Sequence, residues 1–368
     1  MTGVEAKIKN LQYHPTLGKE LPLIPLEEWD INLAPASFLL QDESEVYAMS
    51  KWVSPKRTRS YPYARVYDTL AFKNKVTIIP IVKDEGLDGD MDYIQWDTLS
   101  LMSLLNVYVI VGYYDNASKN QEYTNKITKQ QFDQSYIQTK LEELKAYHSS
   151  ALHWNLREID LCFPALVDKV VLAHQNMEQR LQVKLHPIDG IKKLNEKIQE
   201  YSLAFRDYSR QKAQQAQRRE TMTNQPKEAL SSETKASLTI ENYLGGAYYF
   251  TADEVLIQDN SLELIESKHA KRHFLPSDND IKDGLIKMVL FSNLEEATFL
   301  QKNYPVLPIL QLTSPLIKGS VSSTAETEHL ISFVEENKLK ANLINKINAL
   351  FCEAKQNRFE IRLLGITP

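Results

Sequence analysis

Residues 250–291 read FTADEVLIQDNSLELIESKHAKRHFLPSDNDIKDGLIKMVLF, and their pattern is strand, turn, strand, basic loop, helix. Glu254 to Ile257 is a short apolar-rich run headed by an acid, Asp253. Gln258-Asp259-Asn260-Ser261 is turn chemistry, and Leu262 to Lys268 is a second run of strand length. Side chains two apart in a strand share a face, so Glu266 and Lys268 point the same way as Leu262 and Leu264. If the two runs pair, Asp253 comes close to Glu266, and two carboxylates and a lysine gather on one edge.

Such an edge has a chemical use. Two carboxylates with open positions suit a hard divalent cation such as Mg²⁺, which keeps several waters and accepts phosphate oxygens. The cation polarises a phosphoryl oxygen and helps to ionise a water. A lysine beside it can orient that water or neutralise charge that develops in the transition state.

Asp253, twelve intervening residues and then Glu266-Ser267-Lys268 resembles the active-site pattern of the PD-(D/E)XK nuclease superfamily, which includes many type II restriction endonucleases. The resemblance spans roughly residues 237–312. The tripeptide acid, any residue, lysine also occurs at Glu5/Lys7, Glu143/Lys145, Glu233/Lys235, Asp280/Lys282, Glu336/Lys338 and Glu353/Lys355. Only Glu266/Lys268 ends an apolar run that follows another run headed by Asp and precedes a helix. Ala252 stands where the superfamily's name-giving proline would be.

The resemblance implies a restriction-endonuclease-like core, a mixed sheet flanked by helices, cutting double-stranded DNA with Mg²⁺ to leave 5′-phosphate and 3′-hydroxyl ends. Asp253 and Glu266 would hold the metal, with the Ser267 carbonyl as an extra ligand, and Lys268 would orient the attacking water. A short helix over Leu238 to Leu244, ended by Gly245-Gly246, would place Glu241 where the superfamily often has a further acid. Cutting both strands with one such site per chain suggests a homodimer on a two-fold site.

The remaining sequence sets the context. At 368 residues two or three domains are expected. A hydrophobic content of 43% with 25% charged residues describes an ordinary globular protein. A net charge of −5 offers no global attraction to DNA, so binding must come from local basic patches. Cys162 and Cys352 lie far apart with no metal or disulfide spacing, which points to a reducing cytoplasm. MTGVEAKIKN lacks the apolar core of a signal peptide, and no run reaches the length of a membrane span.

Residues 1–50 read as an irregular lead-in broken by Pro15, Pro22, Pro25 and Pro35. From Lys51 to Lys75 seven basic residues face one acid, Asp68, with Trp52, Tyr61, Tyr63 and Tyr67 interleaved. Lys56, Arg57 and Arg59 are therefore DNA-contact candidates, weighed against a solvated loop whose aromatics belong to the core. KVTIIPIVK (75–83) and NVYVIVGYY (106–114) read as buried strands around a helix from Tyr93 to Leu105, giving an α/β N-terminal domain. Between them Asp84, Glu85, Asp88, Asp90, Asp92 and Asp97 form an acidic loop without the glycine and closing glutamate of a calcium site. Acids placed after a strand and before a helix echo a second, degenerate nuclease-like core.

Residues 115–235 are mostly helical in composition, and Arg206, Arg210, Lys212, Arg218 and Arg219 give one helix a basic half, solvated or lying along DNA. His148 and His153 have no evident third ligand and read as structural. Thr221 to Thr234 reads as a linker. After Lys268 the loop His269-Ala270-Lys271-Arg272-His273 is basic, and His269, Lys271 and Arg272 are candidates for phosphate contact. Ser277 or Asp278 caps the next helix; Ile281, Leu285, Met288 and Val289 face the sheet, with Lys282 and Lys287 on other faces. A strand over 304–312, a long helix over 326–354 and a last strand over 358–365 complete the chain.

The expected organisation is an α/β protein: an N-terminal α/β domain over 1–175, a helical bridge and linker over 176–235, and the nuclease domain over 236–368. Two other functions compete with the type II restriction endonuclease. One is a repair or recombination nuclease that recognises DNA structure, and the other is a non-catalytic DNA-binding or assembly protein.

Overall fold

Asp259 and Asn260 both take left-handed backbone angles, φ 49° and 62°, the twist that a two-residue hairpin turn needs to match its strands. The computed structural model, which describes residues 3–43, 45–200, 211, 236–242 and 247–366, builds from this turn a hairpin of strands Glu254–Gln258 and Ser261–His269. Ser261–His269 runs parallel to Val306–Ser314, which runs parallel to Glu360–Gly365, and Ser320–Ser322 closes that edge antiparallel. Helix Asp278–Phe291 makes the first crossover. The Ser277 side chain accepts a hydrogen bond from the Asp280 N–H, and Asp278 and Asp280 suit the positive end of the helix dipole. The second crossover is two helices, Thr327–Glu336 and Ala341–Asn357, where the sequence suggests one. Lys338 at φ 49° breaks it, and Asn337 Nδ2 donates to the carbonyls of Phe333 and Lys318.

A second five-stranded sheet has Gly3–Ile8 at its centre, parallel to Ala236–Asn242 and antiparallel to Glu296–Phe299. The expectation of an irregular lead-in over residues 1–50 is thus wrong at its first residues, and wrong again at its end, where Ser37–Asp42 and Glu45–Lys51 pair as a hairpin. Val4, Ala6 and Ile8 alternate with exposed Gly3, Glu5 and Lys7, the period of a half-buried strand. Ala236–Asn242 is also a strand, not a helix as far as Asn242. Leu238 and Ile240 are buried while Glu241 is exposed, again period two, and the proposed stop at Gly245-Gly246 lies outside the described residues.

Two compact units divide the chain: Met1–Lys19 with Ala213–Pro368, and Glu20–Lys212. The sheet of the second unit is ordered Leu23–Pro25, Ser37–Asp42, Glu45–Lys51, Lys75–Pro80, Tyr108–Gly112. Strands Lys75–Pro80 and Tyr108–Gly112 are parallel around helix Trp96–Leu104, as the sequence indicates. One face of this sheet packs Phe38, Met49, Val76, Ile78 and Ile110 under Ile137 and Leu141 of helix Gln134–Lys145. Residues 115–235 are less helical than their composition suggests, because Tyr114–Lys119 and Ile127–Phe132 form a hairpin ahead of that helix. Helices Ala151–Arg157, Phe163–Leu181 and Asp189–Glu200 follow. The basic residues 206–219, Arg206 to Arg219, and the linker 221–234 lie outside the described residues. Among the described residues no helix is long and apolar enough to cross a membrane.

Candidate active site

Asp253 sits at the bend where the chain leaves strand Ala247–Ala252 of one sheet and enters Glu254–Gln258 of the other. Its N–H donates to the Ile265 carbonyl at 3.0 Å, one step past the Glu254↔Ile265 pair, so it faces Glu266 across the end of the hairpin. The Ser267 N–H donates to Asp253 Oδ2 at 2.8 Å, fixing the carboxylate against the neighbouring strand. Glu266 is only 3% exposed. Lys268, two residues on and on the same face, places its Nζ 3.0 Å from Glu266 Oε1.

Helix Asp278–Phe291 completes the cluster. Asp283 and Lys287, four apart, share a helix face. Asp283 Oδ2 lies 2.9 Å from Lys268 Nζ, and Lys287 Nζ lies 2.7 Å from Glu266 Oε2. Gly284 lets the helix lie this close: a Cβ there would stand 2.7 Å from Leu310 Cδ1 and 3.4 Å from Lys268 Cε. Sequence reasoning missed Asp283 and Lys287. The apolar stripe places Lys282 and Lys287 on faces away from the sheet, whereas Lys287 turns inward to Glu266 and Lys282 is 3% exposed. The i, i+4 spacing of an acid and a lysine beside the apolar stripe was the available signal.

The electrostatics follow from burial. Loss of solvent, and then the nearby Glu266 charge, push the Asp253 carboxyl up to about 6. Burial alone would also raise Glu266, but the ammonium groups of Lys287 and Lys268 outweigh it and hold that carboxyl below its ordinary value. Burial would lower Lys268, yet Glu266 and Asp283 outweigh it and hold the amine well above its ordinary value. The centre is therefore one carboxylate held ionised, one raised to about 6, and a lysine that stays protonated.

His269, Lys271, Arg272 and His273 are exposed just past Lys268. His269 Nδ1 lies 3.1 Å from Thr313 Oγ1, and the His273 carbonyl accepts from Ser314 Oγ at 2.7 Å. The structure brings together Asp253, Glu266, Ser267 and Lys268. It does not bring Glu241, whose ladder partner is Ala247, five positions from the Ala236↔Ala252 pair beside Asp253, or about 17 Å along the strand. Among the described residues no three His, Cys, Asp or Glu side chains form a metal-holding group. Any cation at this edge would rest on two carboxylates and main-chain oxygen.

In the 20–212 unit Trp52, Tyr63 and Tyr67 of the basic stretch are buried in the core, while Tyr61 is exposed. Its cations mostly turn inward. Lys51 Nζ donates to the Ile31 carbonyl at 2.6 Å and Arg65 Nη1 to the Lys51 carbonyl at 2.5 Å. Arg59 is bound by the acidic loop, to Glu85 at 2.6 Å, Asp92 at 3.0 Å and also Asp90. Lys56 is exposed and Arg57 half-buried. The acidic loop thus forms an ion cluster with Arg59, Lys83 and Lys126.

The fold and this centre define a mixed α/β protein in which a buried Glu266 and a half-buried Asp253 meet Lys268 at the end of a hairpin and Lys287 from the adjoining helix. No family model, curated protein or solved structure matches the chain.

Proposed function

We propose that the chain is a Mg²⁺-dependent endonuclease that hydrolyses phosphodiester bonds of double-stranded DNA, of the type II restriction kind, leaving 5′-phosphate ends. The observation that carries this reading is Asp253 facing Glu266 across the hairpin end with Lys268 on the Glu266 carboxylate. The order hairpin, helix, parallel strand around that edge supports it, being similar to the order in the PD-(D/E)XK superfamily.

The residues present suit a divalent cation. Burial, and after it the Glu266 charge, raise the Asp253 carboxyl to about 6, and a cation beside the two carboxylates would offset that cost of ionising Asp253. Asp253, Glu266 and the Ser267 carbonyl would hold it. Bound there, it would supply polarisation of a phosphoryl oxygen and a lowered pKa for a coordinated water.

The chain's own groups do the rest. Lys268, kept protonated by Glu266 and Asp283, serves as a positive hydrogen-bond donor to charge developing on the phosphoryl group, not as a proton acceptor. Asp283 fixes the amine from the helix side. Lys287 keeps Glu266 ionised. The exposed His269, Lys271 and Arg272 offer phosphate contacts where a scissile strand would lie.

A second reading has its own observation. Both oxygens of Glu266 already accept from lysines, as in an ion network that is only structural, and the chain would then bind DNA without cutting it. Incubation with plasmid and Mg²⁺, beside a binding titration over salt, separates the two. The nuclease reading expects discrete fragments that EDTA suppresses; salt-dependent binding with no cutting on several DNAs removes it. Preference for branched or damaged duplex over plasmid would shift the reading to a repair or recombination nuclease.

A further inference from the structure

Two stretches of the chain run through one topology. Residues 254–365 form a hairpin, a helix, a strand parallel to the hairpin's second strand, further helix, and a fourth strand parallel to the third. Residues 37–112 do the same: hairpin Ser37–Asp42 and Glu45–Lys51, helix Pro62–Tyr67, strand Lys75–Pro80, helix Trp96–Leu104, strand Tyr108–Gly112. The four strands stand in the same order in each sheet.

The registers match as well. Both hairpins turn in two residues, after the pairs Gln258↔Ser261 and Asp42↔Glu45. Counting outward from the turns, Asp253 falls on Ser37, Glu266 on Ser50 and Lys268 on Trp52. Leu310, the ladder partner of Glu266, falls on Thr77, the ladder partner of Ser50. The faces agree too. Lys268 reaches Asp283 on its crossover helix. Trp52 meets Tyr63 of the corresponding helix edge-on at 6.3 Å, and Ser37 Oγ donates to the Arg65 carbonyl there at 3.2 Å.

A comparison of sequence alone misaligns the two. Met49-Ser50-Lys51 looks like Glu266-Ser267-Lys268, but it is offset by one position, and one position in a strand reverses the face. Met49 accordingly packs with Phe38 and Val76 on the opposite face. At the counterpart of the carboxylate centre, Ser50 Oγ, Thr77 Oγ1 and Trp52 Nε1 are buried without a hydrogen-bond partner. Such groups are costly in a hydrophobic interior and call for an explanation.

We propose that residues 37–112 are a second copy of the core at 253–365, in which Ser37, Ser50 and Trp52 stand where Asp253, Glu266 and Lys268 stand in the first. At these three positions the second copy has no carboxylate or ammonium group with which to hold a cation. Taken with the nuclease reading, on which this consequence rests, each chain carries one cutting centre and cuts one strand.

Mn²⁺ binding to the full-length chain, counted by titration calorimetry, tests this. In a Glu266→Gln background, Ser37→Asp with Ser50→Glu is expected to create one Mn²⁺ site per chain, and Phe38→Asp with Met49→Glu, on the other face, none. A folded Ser37→Asp/Ser50→Glu chain that binds no Mn²⁺, or a control that binds equally, overturns the proposal. A crystal structure of the unaltered chain decides the register even if these variants fail to fold. Superposition of the two cores should bring Ser50 onto Glu266, and an offset that brings Lys51 onto Lys268 contradicts the two-copy assignment. Absence of Mn²⁺ from the unaltered chain would count against the nuclease reading while leaving both of these outcomes informative.

Discussion

Lys287 Nζ lies 2.7 Å from Glu266 Oε2 while Lys268 Nζ lies 3.0 Å from Oε1, so the buried carboxylate is held at both oxygens by ammonium groups from a helix and a strand. Removing one partner of a buried ion pair leaves charge uncompensated, which costs on the order of 3 kcal/mol. Lys287→Met should lose about that much in urea unfolding at pH 8. The sign with pH is fixed by Glu266, whose folded pKa is depressed. Its contribution is present above the unfolded carboxylate pKa and is lost as pH falls through the folded one. The deficit of Lys287→Met should therefore shrink toward pH 4; a deficit constant with pH would show that Lys287 acts by packing alone.

Asp253 should behave in the opposite sense. Its folded pKa stands near 6 against an ordinary 3.8, so ionising it costs the folded state up to about 3 kcal/mol. The cost grows as pH rises from about 4 to about 6 and is complete above that. Asp253→Asn keeps an oxygen that can accept from the Ser267 N–H, and it should melt higher than the parent at pH 7.5 and equally at pH 4. Loss of DNA cutting in the same variant would mark the carboxylate as kept for chemistry at the expense of stability.

Glu353, fully buried on helix Ala341–Asn357, accepts from the Thr16 N–H at 3.0 Å, Thr16 Oγ1 at 2.9 Å and the Leu17 N–H at 3.1 Å, and also from Tyr13 Oη. One carboxylate thus fastens the segment that follows strand Gly3–Ile8. Glu353→Gln replaces an acceptor oxygen by a donor and weakens charge-assisted bonds, and should cost about 2–3 kcal/mol. Limited proteolysis should then cut within residues 10–20 faster than in the parent, and unchanged cutting there would contradict the fastening role.

The basic loop and the basic stretch should separate in DNA binding. Lys271 and Arg272 are exposed, and removing either should lower the slope of log affinity against log salt by about one. Arg59 is occupied by Glu85, Asp90 and Asp92. Arg59→Ala should lower the melting temperature and leave the salt slope unchanged, as fluorescence anisotropy over a salt series would show.

The gathering of Asp253, Glu266 and Lys268 was legible because the turn Asp259-Asn260 fixes the hairpin register and period two does the rest. The parallel pair around helix Trp96–Leu104 was legible for a similar reason, a continuous apolar strand on each side. Asp283 and Lys287 were hidden because charged residues on a helix are normally read as its solvated face, and only the glycine-enabled approach of that helix turns them inward. Glu241 was misplaced because two glycines suggested a helix end, when alternate burial of Leu238 and Ile240 makes a strand. The role of Gly3–Ile8 is set by a partner more than two hundred residues away, which local pattern cannot supply. The sequence hints at a second, degenerate core through the acids between Asp84 and Asp97, but Glu85, Asp90 and Asp92 are taken up in ion pairs with Arg59, Lys83 and Lys126; the proposed counterpart positions Ser37, Ser50 and Trp52 carry no charge by which a sequence pattern could mark them.

The most direct measurement is cutting of a sequenced plasmid by the purified chain with Mg²⁺, beside Glu266→Gln and an EDTA control. Discrete fragments with 5′-phosphate ends are expected from the parent chain only, with Glu266→Gln folded and still bound to DNA. Fragments of the same size and yield from folded Glu266→Gln would contradict the nuclease reading, as would a parent chain that binds many duplexes and cuts none.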